Sequence, residues 1–201
     1  MGAGEDRAGV NFAMVFPGQG SQSVGMLGAF DEAFPVVRQT YAEASGVLGY
    51  DLWRLVQAGP ETELDRTERT QPALLAAGVA LWRLWREQGG ASPSMMAGHS
   101  LGEYTALVCA GALEFTDAVA LVADRGRYMQ DAVPRGAGAM AAILGLEDEQ
   151  VLAACEQAAQ GEVVSAANFN APGQIIVSGD KASGRWRPPG RPGRSGRWCL
   201  Q

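Results

Sequence analysis

Histidine and cysteine are scarce in this 201-residue chain: one histidine, His99, and three cysteines, Cys109, Cys155 and Cys199. With so few ligand-rich residues, a zinc or other transition-metal centre is close to excluded. The cysteines are odd in number and far apart, so no disulfide framework can be read from them, and a reducing compartment fits best. Basic residues are also in deficit, 16 against 22 acidic, for a net charge of −6. A nucleic-acid binder acting through a global basic field is therefore disfavoured. Long apolar runs are missing: the longest, Leu74 to Trp82, is about half the length a membrane span needs. The opening MGAGEDRAGV carries acids where a signal peptide carries a basic and then an apolar region. Asp6 stands where a myristoylation signal wants Ser or Thr. The expectation is a soluble, cytoplasmic chain with no nucleic-acid and no membrane partner.

The rest of the composition, 47% hydrophobic and 19% charged, is that of a folded protein. Its length fits one domain, or a core with a small second lobe. The charge is unevenly spread. Residues 184–201, GRWRPPGRPGRSGRWCLQ, hold five Arg, four Gly, three Pro and no acid. They show neither a helical nor a strand period and are read as disordered. An arginine-glycine arm for single-stranded nucleic acid, a solvated random tail and a wrong-frame product compete for this segment. The frame slip is preferred, because shifting G/C-rich synonymous codons by one base gives an Ala/Leu-rich, helix-like stretch.

Upstream of the tail, strand and helix signals alternate. Asn11 to Phe16 is a short apolar run stopped by Pro17, hence a buried strand, and a glycine-rich loop follows it. Residues 29–45 carry helix-period apolar positions, with Pro35 weakening the first turn. Asp51 is a plausible N-cap for a short helix to Gln57. Thr70-Gln71-Pro72 opens a strong helix, with Leu74, Leu75, Leu81, Trp82 and Trp85 as core candidates and Gly89-Gly90 as its stop. Ser94 to Ala97 reads as a second strand, followed by helices near 101–110 and from Thr116 to about Gln130. A β-α-β-β pattern closes the readable part, with strands at 139–144, 163–168 and 174–178 and a helix near 147–160. The class is α/β, a parallel sandwich followed by a small α+β lobe.

Chemistry concentrates at Gly98-His99-Ser100-Leu101-Gly102, a G-x-S-x-G placed between a strand and a helix. A nucleophile elbow needs small residues two places either side of the serine, because a Cβ there collides with the neighbouring strand or helix. The next residue's N–H, at a helix start, can then donate to a tetrahedral oxyanion. The bland alternative is a serine capping a helix after a tight turn. A serine nucleophile also needs a base, normally histidine. His99, the one histidine, is adjacent in the turn, where neighbouring side chains diverge, so it is a poor base for Ser100. Either the serine is not catalytic or the chain is incomplete.

FPGQGSQ (16–22), TQPALL (70–75), AGHSLGEYTALVCAG (97–111), RGRYMQ (125–130), GAMAAILGL (138–146) and NFNAPGQIIVSG (168–179) resemble the malonyl-CoA:acyl-carrier-protein transacylases of bacterial fatty-acid synthesis. The motifs keep that family's order and spacing over about residues 11–183. The resemblance implies that residues 1–131 are the N-terminal part of a three-layer, α/β-hydrolase-like large subdomain, incomplete here. It implies that residues 132–183 are part of a ferredoxin-like small subdomain. It implies that Ser100 takes malonyl from coenzyme A as an ester and passes it to the phosphopantetheine thiol of acyl carrier protein. Gln19 and the Leu101 N–H would form the oxyanion hole. Arg125 would bind the malonyl carboxylate, His99 would lie at the substrate site, and Gln71 would line it or help cap its helix. No cofactor is implied; malonyl-CoA is a substrate. The family's catalytic histidine falls beyond the stretch that matches, so the catalytic base is expected to be absent from this chain and turnover impaired. A non-catalytic module binding acyl-CoA or carrier protein is the alternative. A serine esterase is disfavoured, since that fold also needs a later acid and a histidine.

Overall fold

A computed structural model of the chain describes residues 11–133 and 137–180. The expected disordered tail at 184–201 lies outside the described residues. Two units meet at Gln130/Asp131.

In the first unit the apolar opening run forms β1 (Ala13–Phe16), which pairs in parallel with β2 (Met95–Gly98). Between them run α1 (Gly28–Asp31), α2 (Pro35–Leu48), α3 (Leu52–Ala58), α4 (Glu61–Leu64) and α5 (Thr67–Glu87). After β2 come α6 (Leu101–Cys109) and α7 (Phe115–Ala132). Parallel strands joined through helices are the α/β arrangement that the alternation of signals implied. The core gathers Val37, Tyr41, Leu52, Val56, Leu75 and Leu101 among others, all at most 1% exposed.

Local sequence accounts for most boundaries. Asp51 caps α3 as expected, its carboxylate accepting the Arg54 N–H at 2.8 Å. The single helix expected over 29–45 is instead two. Pro35 begins α2 at a position where its missing N–H costs nothing, and Phe34 before it is extended at φ −136° and ψ 92°. α5 starts at Thr67, a turn before the expected Thr70, and carries Pro72 inside it. The Thr70 hydroxyl donates back to the Leu64 carbonyl at 2.6 Å, holding that first turn against the preceding segment.

The core side of α5 also differs from expectation. Leu74 and Leu75 are buried, but Leu81 and Trp85 are 40% and 42% exposed. They belong to a second apolar stripe that opens, with Met14, Val15 and Phe30, onto a groove of about 610 Å³. Parallel strands are normally buried on both faces, yet Val15 and Met95 are 73% and 68% exposed. The strand expected at Asn11–Phe16 is present, but in β1 only Phe16 is buried, because spacing identifies apolar residues and not the side that another element covers.

The second unit has β3 (Gly138–Leu144), α8 (Asp148–Ala159), β4 (Val164–Ala171) and β5 (Gln174–Asp180). The order is β3-β5-β4, with β5 antiparallel to both neighbours. This is a split β-α-β unit, the small α+β lobe that the β-α-β-β pattern implied and half of the ferredoxin-like fold that the resemblance implied. Glu147 and Gln150 close a capping box at the start of α8. Val151 and Cys155 of α8 pack on Ile143, Ile175 and Val177 of the sheet.

An open apolar groove of this size should bind a hydrophobic dye. Anilinonaphthalene sulfonate is expected to fluoresce with the native chain, and Leu81→Lys with Val15→Thr to weaken that signal while leaving the unfolding free energy from urea titration within about 0.5 kcal/mol, as for surface changes. An unchanged signal in the double variant would place the dye elsewhere.

Candidate active site

The site begins with backbone clearance. β2 ends at Gly98, α6 begins at Leu101, and the chain reverses in between. A Cβ on Gly98 would stand 1.8 Å from the Gly102 carbonyl carbon, and one on Gly102 would stand 2.2 Å from the Phe16 carbonyl oxygen. Both obstacles are main chain and cannot rotate away. The turn therefore requires glycine at each end, which is the physical content of the G-x-S-x-G pattern.

Between the glycines, Ser100 has φ 54° and ψ −107°. A non-glycine residue at positive φ, with ψ far from the left-handed well, is held there by its surroundings at a cost on the order of 1–3 kcal/mol. Its side chain makes no cap bond to α6. The helix-cap alternative for this serine is thereby removed, and the hydroxyl stands exposed at the bend. Leu101 is the first residue of α6, where a backbone N–H has no partner a turn earlier in its own helix. The Leu101 side chain is in the core at 1% exposure, so only its main chain can face the bend.

Arg125, on α7, reaches the same point. Its Nη2 donates to Ser100 Oγ at 2.9 Å and its Nη1 donates to Gln71 Oε1 at 2.7 Å. Its Cζ lies 5.5 Å from the centre of the Tyr104 ring. The spot where α7 crosses the start of α5 is set by Gly126, whose Cβ would come within 2.6 Å of Glu68 Cα and the Thr67 carbonyl oxygen. Glu68 Oε1 accepts from Arg66 Nε at 2.7 Å. Burial pushes its carboxyl up, but backbone N–H bonding and Arg66 outweigh this and hold it below the usual range. Among the described residues Arg125 has no carboxylate within ion-pair distance; its partners are an amide, a hydroxyl and an aromatic ring.

The remaining sequence candidates gather around this pair. Gln71 is fully buried, the fifth residue of α5, and turns its carboxamide to Arg125 rather than to the helix end. Gln19 lies on the loop after β1, where its Nε2 donates to Thr67 Oγ1 at 3.3 Å. Gln22 on the same loop donates to Asp65 at 2.9 Å, a second tie to the approach of α5. The loop touches the bend through Gly18: a Cβ there would meet the His99 carbonyl oxygen at 2.8 Å and His99 Nδ1 at 2.9 Å. The His99 ring is thus turned toward the Gly18 loop. Thr67, Tyr104 and Met129 were not singled out from the sequence. Tyr104 is four residues after Ser100 and Met129 four after Arg125, so helical spacing was the available signal. Among the described residues, no three His, Cys, Asp or Glu side chains cluster to hold a metal ion. None of the described helices is long and apolar enough to cross a membrane.

The acyl transferase domain family matches residues 13–184. The chain belongs to the acyl transferase family. Similar proteins include the malonyl CoA-acyl carrier protein transacylase of Escherichia coli strain K12, 62% identical over 170 residues, which are 85% of this chain and 55% of that one. The enzyme of the same name from Bacillus subtilis strain 168 is 46% identical over 83% of this chain and 53% of its own. Among solved structures, a malonyl-transacylase in complex with a type II polyketide synthase acyl-carrier protein superposes with a TM-score of 0.84 at 62% identity, over 87% of this chain and 56% of that one. The malonyl CoA-acyl carrier protein transacylase from Coxiella burnetii gives 0.84 at 55% identity, over 86% of this chain and 55% of that one. The chain spans about half the length of the curated relatives it matches. Within the acyl transferase fold, the elbow glycines and Arg125 occupy the unit that carries β1 and β2.

Gly102→Ala should destabilise this acyl transferase unit by about 3 kcal/mol, the upper end for overpacking, because the obstacle is main chain. Ser100→Gly should instead stabilise it by about 1 kcal/mol through relief of the positive φ. Urea midpoints of both variants test the two signs; a neutral Gly102→Ala would mean that the bend is not clearance-limited.

Proposed function

We propose that this chain carries the acyl-loading half of a malonyl-CoA:acyl-carrier-protein transacylase site of fatty-acid synthesis. Ser100 Oγ attacks the thioester carbonyl of malonyl-CoA, the C–S bond breaks, a malonyl ester remains on the serine, and the departing coenzyme A thiolate takes up the serine proton. The phosphopantetheine thiol of acyl carrier protein then takes the malonyl group by the reverse exchange. The Leu101 N–H, with Gln19 on the facing loop, would donate to the oxyanion of each tetrahedral intermediate. Arg125 would hold the free carboxylate.

The single observation that supports this reading is the 2.9 Å separation of Arg125 Nη2 and Ser100 Oγ. The malonyl carboxylate lies two bonds beyond the acyl carbonyl carbon. A cation beside the nucleophile therefore suits a dicarboxylic acyl group and gains nothing from a plain one. A guanidinium with only neutral neighbours has its charge unspent, and pairing it with a carboxylate in a half-buried site is a strong, charge-assisted contact. An acyl group without that carboxylate leaves the charge unpaired, which is how such a site rejects it.

Activation of the hydroxyl is the weak step. The one histidine, His99, is turned toward Gly18, and arginine accepts no proton at neutral pH. Acting through these 201 residues alone, Ser100 should acylate slowly, by on the order of 10⁴-fold relative to a site with a base. The scarcity of imidazole also favours the second reading, a module that binds acyl-CoA or carrier protein without turnover.

Incubation with radiolabelled malonyl-CoA separates the two. Slow accumulation of a malonyl ester, absent in Ser100→Ala, is expected. Arg125→Ala should cut the preference for malonyl-CoA over acetyl-CoA by about 10–100-fold, the range for a lost charge-assisted contact. Reversible binding with no ester would favour the module. Rapid malonylation, complete within seconds, would show that the base is not missing.

A further inference from the structure

We infer that Met129 and Gln71 are positioning residues that set acyl selectivity through Arg125: the Met129 thioether fixes which way the buried Gln71 carboxamide points, and the carboxamide fixes the guanidinium. This rests on the reading of Arg125 given under the proposed function.

The two ends of a carboxamide are nearly the same size and opposite in chemistry. Gln71 is 0% exposed, so water cannot correct a wrong orientation. As placed, Oε1 accepts from Arg125 Nη1 at 2.7 Å and Nε2 donates to Met129 Sδ at 3.3 Å. Rotation by half a turn would set the amide N–H against the guanidinium N–H, donor against donor. It would also set Oε1 against the sulfur lone pairs, acceptor against acceptor. Thioether sulfur has no proton to give, so Met129 penalises that flip from its side as Arg125 does from the other. Arg125 and Met129 are four residues apart on one face of α7, which lets one side chain from α5 read both.

The consequence falls on the guanidinium. Its Nη1 edge is held by Gln71 and its face rests on Tyr104, 5.5 Å away. The Nη2 edge is left to turn from Ser100 Oγ to an incoming carboxylate. Without the anchor, a long flexible side chain would have to be ordered by the ligand, and that entropy is lost from affinity. Only a ligand with a carboxylate bears the loss, so the effect is on selectivity. A neutral anchor also matters: a glutamate at residue 71 would pair with the guanidinium and compete with the malonyl carboxylate.

The test uses the full chain with ¹⁵N-arginine labelling. In the ligand-free wild type, Arg125 Nη protons are expected as resolved signals from slow rotation about Cζ–Nη, and Met129→Leu, which keeps the apolar bulk and removes the acceptor, should average them. Met129 is 49% exposed, so this variant is expected to fold. In NMR titrations Met129→Leu should weaken malonyl-CoA by about 3–10-fold and Gln71→Glu by about 10–100-fold, the ranges for a neutral and a charged hydrogen bond, with acetyl-CoA changed less than about twofold. Resolved Arg125 signals persisting in Met129→Leu, or equal losses for malonyl-CoA and acetyl-CoA, overturn the positioning role. Arg125→Ala serves as the control: if it leaves the malonyl preference intact, the reading of Arg125 itself fails. If it abolishes the preference while Met129→Leu changes neither preference nor rotation, only the present inference fails. The rotation readout needs no ligand and decides the positioning role even where binding is too weak to measure.

Discussion

A half-buried guanidinium with no carboxylate partner among the described residues organises the first unit around itself. Arg125 touches α5 through Gln71, the elbow through Ser100 and α6 through Tyr104, so three elements that are far apart in sequence meet on one side chain. Among the described residues several arginines end on acids, Arg38 on Asp31, Arg66 on Glu63 and Glu68, Arg83 on Glu43, while the exposed Arg86 ends on the Gly90 carbonyl and the Ser92 hydroxyl. Those are largely exposed pairs of small energetic weight. Arg125 is held by neutral partners beside the elbow hydroxyl, which fix it in place while leaving its charge for something else. The same amide and hydroxyl that orient it cannot neutralise it.

That placement depends on main-chain contacts that no side chain could substitute. Gly98 and Gly102 let the strand, the bend and the start of α6 stack with backbone against backbone, and Gly126 lets α7 lie on the first turn of α5. The first two fix where Ser100 stands and the third fixes where Arg125 originates. Strain at Ser100 is the counterpart of this rigidity: φ 54° is retained because its flanks are over-determined by close packing. A more relaxed bend would sit lower in energy, with the hydroxyl aimed elsewhere.

Much of this arrangement was legible in the sequence, for reasons that differ by residue. The elbow could be read because its glycines act locally, on neighbours within four residues and on one adjacent strand. β1, β2 and the split β-α-β unit could be read because strand and helix periods are local properties. Arg125 was a different case: from composition it is a helix arginine like any other, and only resemblance to a known family singled it out. Gln71 was placed near the site but with its role undecided, since whether a glutamine caps a helix, lines a cleft or braces another residue depends on contacts 54 and 58 positions away. Leu81 and Trp85 share the apolar period of α5 and yet lie off the core, because periodicity identifies apolar faces, not which face another element covers. The break at Pro35 is not legible locally, because a proline that interrupts a helix and one that opens a helix differ only in the conformation of the residue before it.

The division between what is preorganised and what is not bears on mechanism. Recognition of a carboxylate, the role proposed for Arg125, needs a fixed cation, and Gln71, Tyr104 and Gly126 fix this one from within the first unit. Proton removal from Ser100 needs a group that can accept a proton within hydrogen-bond reach of Oγ. Arg125 is within reach and cannot accept; His99 can accept and its ring is directed at the Gly18 loop. Selectivity and reactivity are therefore carried by separable parts of the site. On the reading proposed for Arg125, a chain can hold the first in full while expressing little of the second.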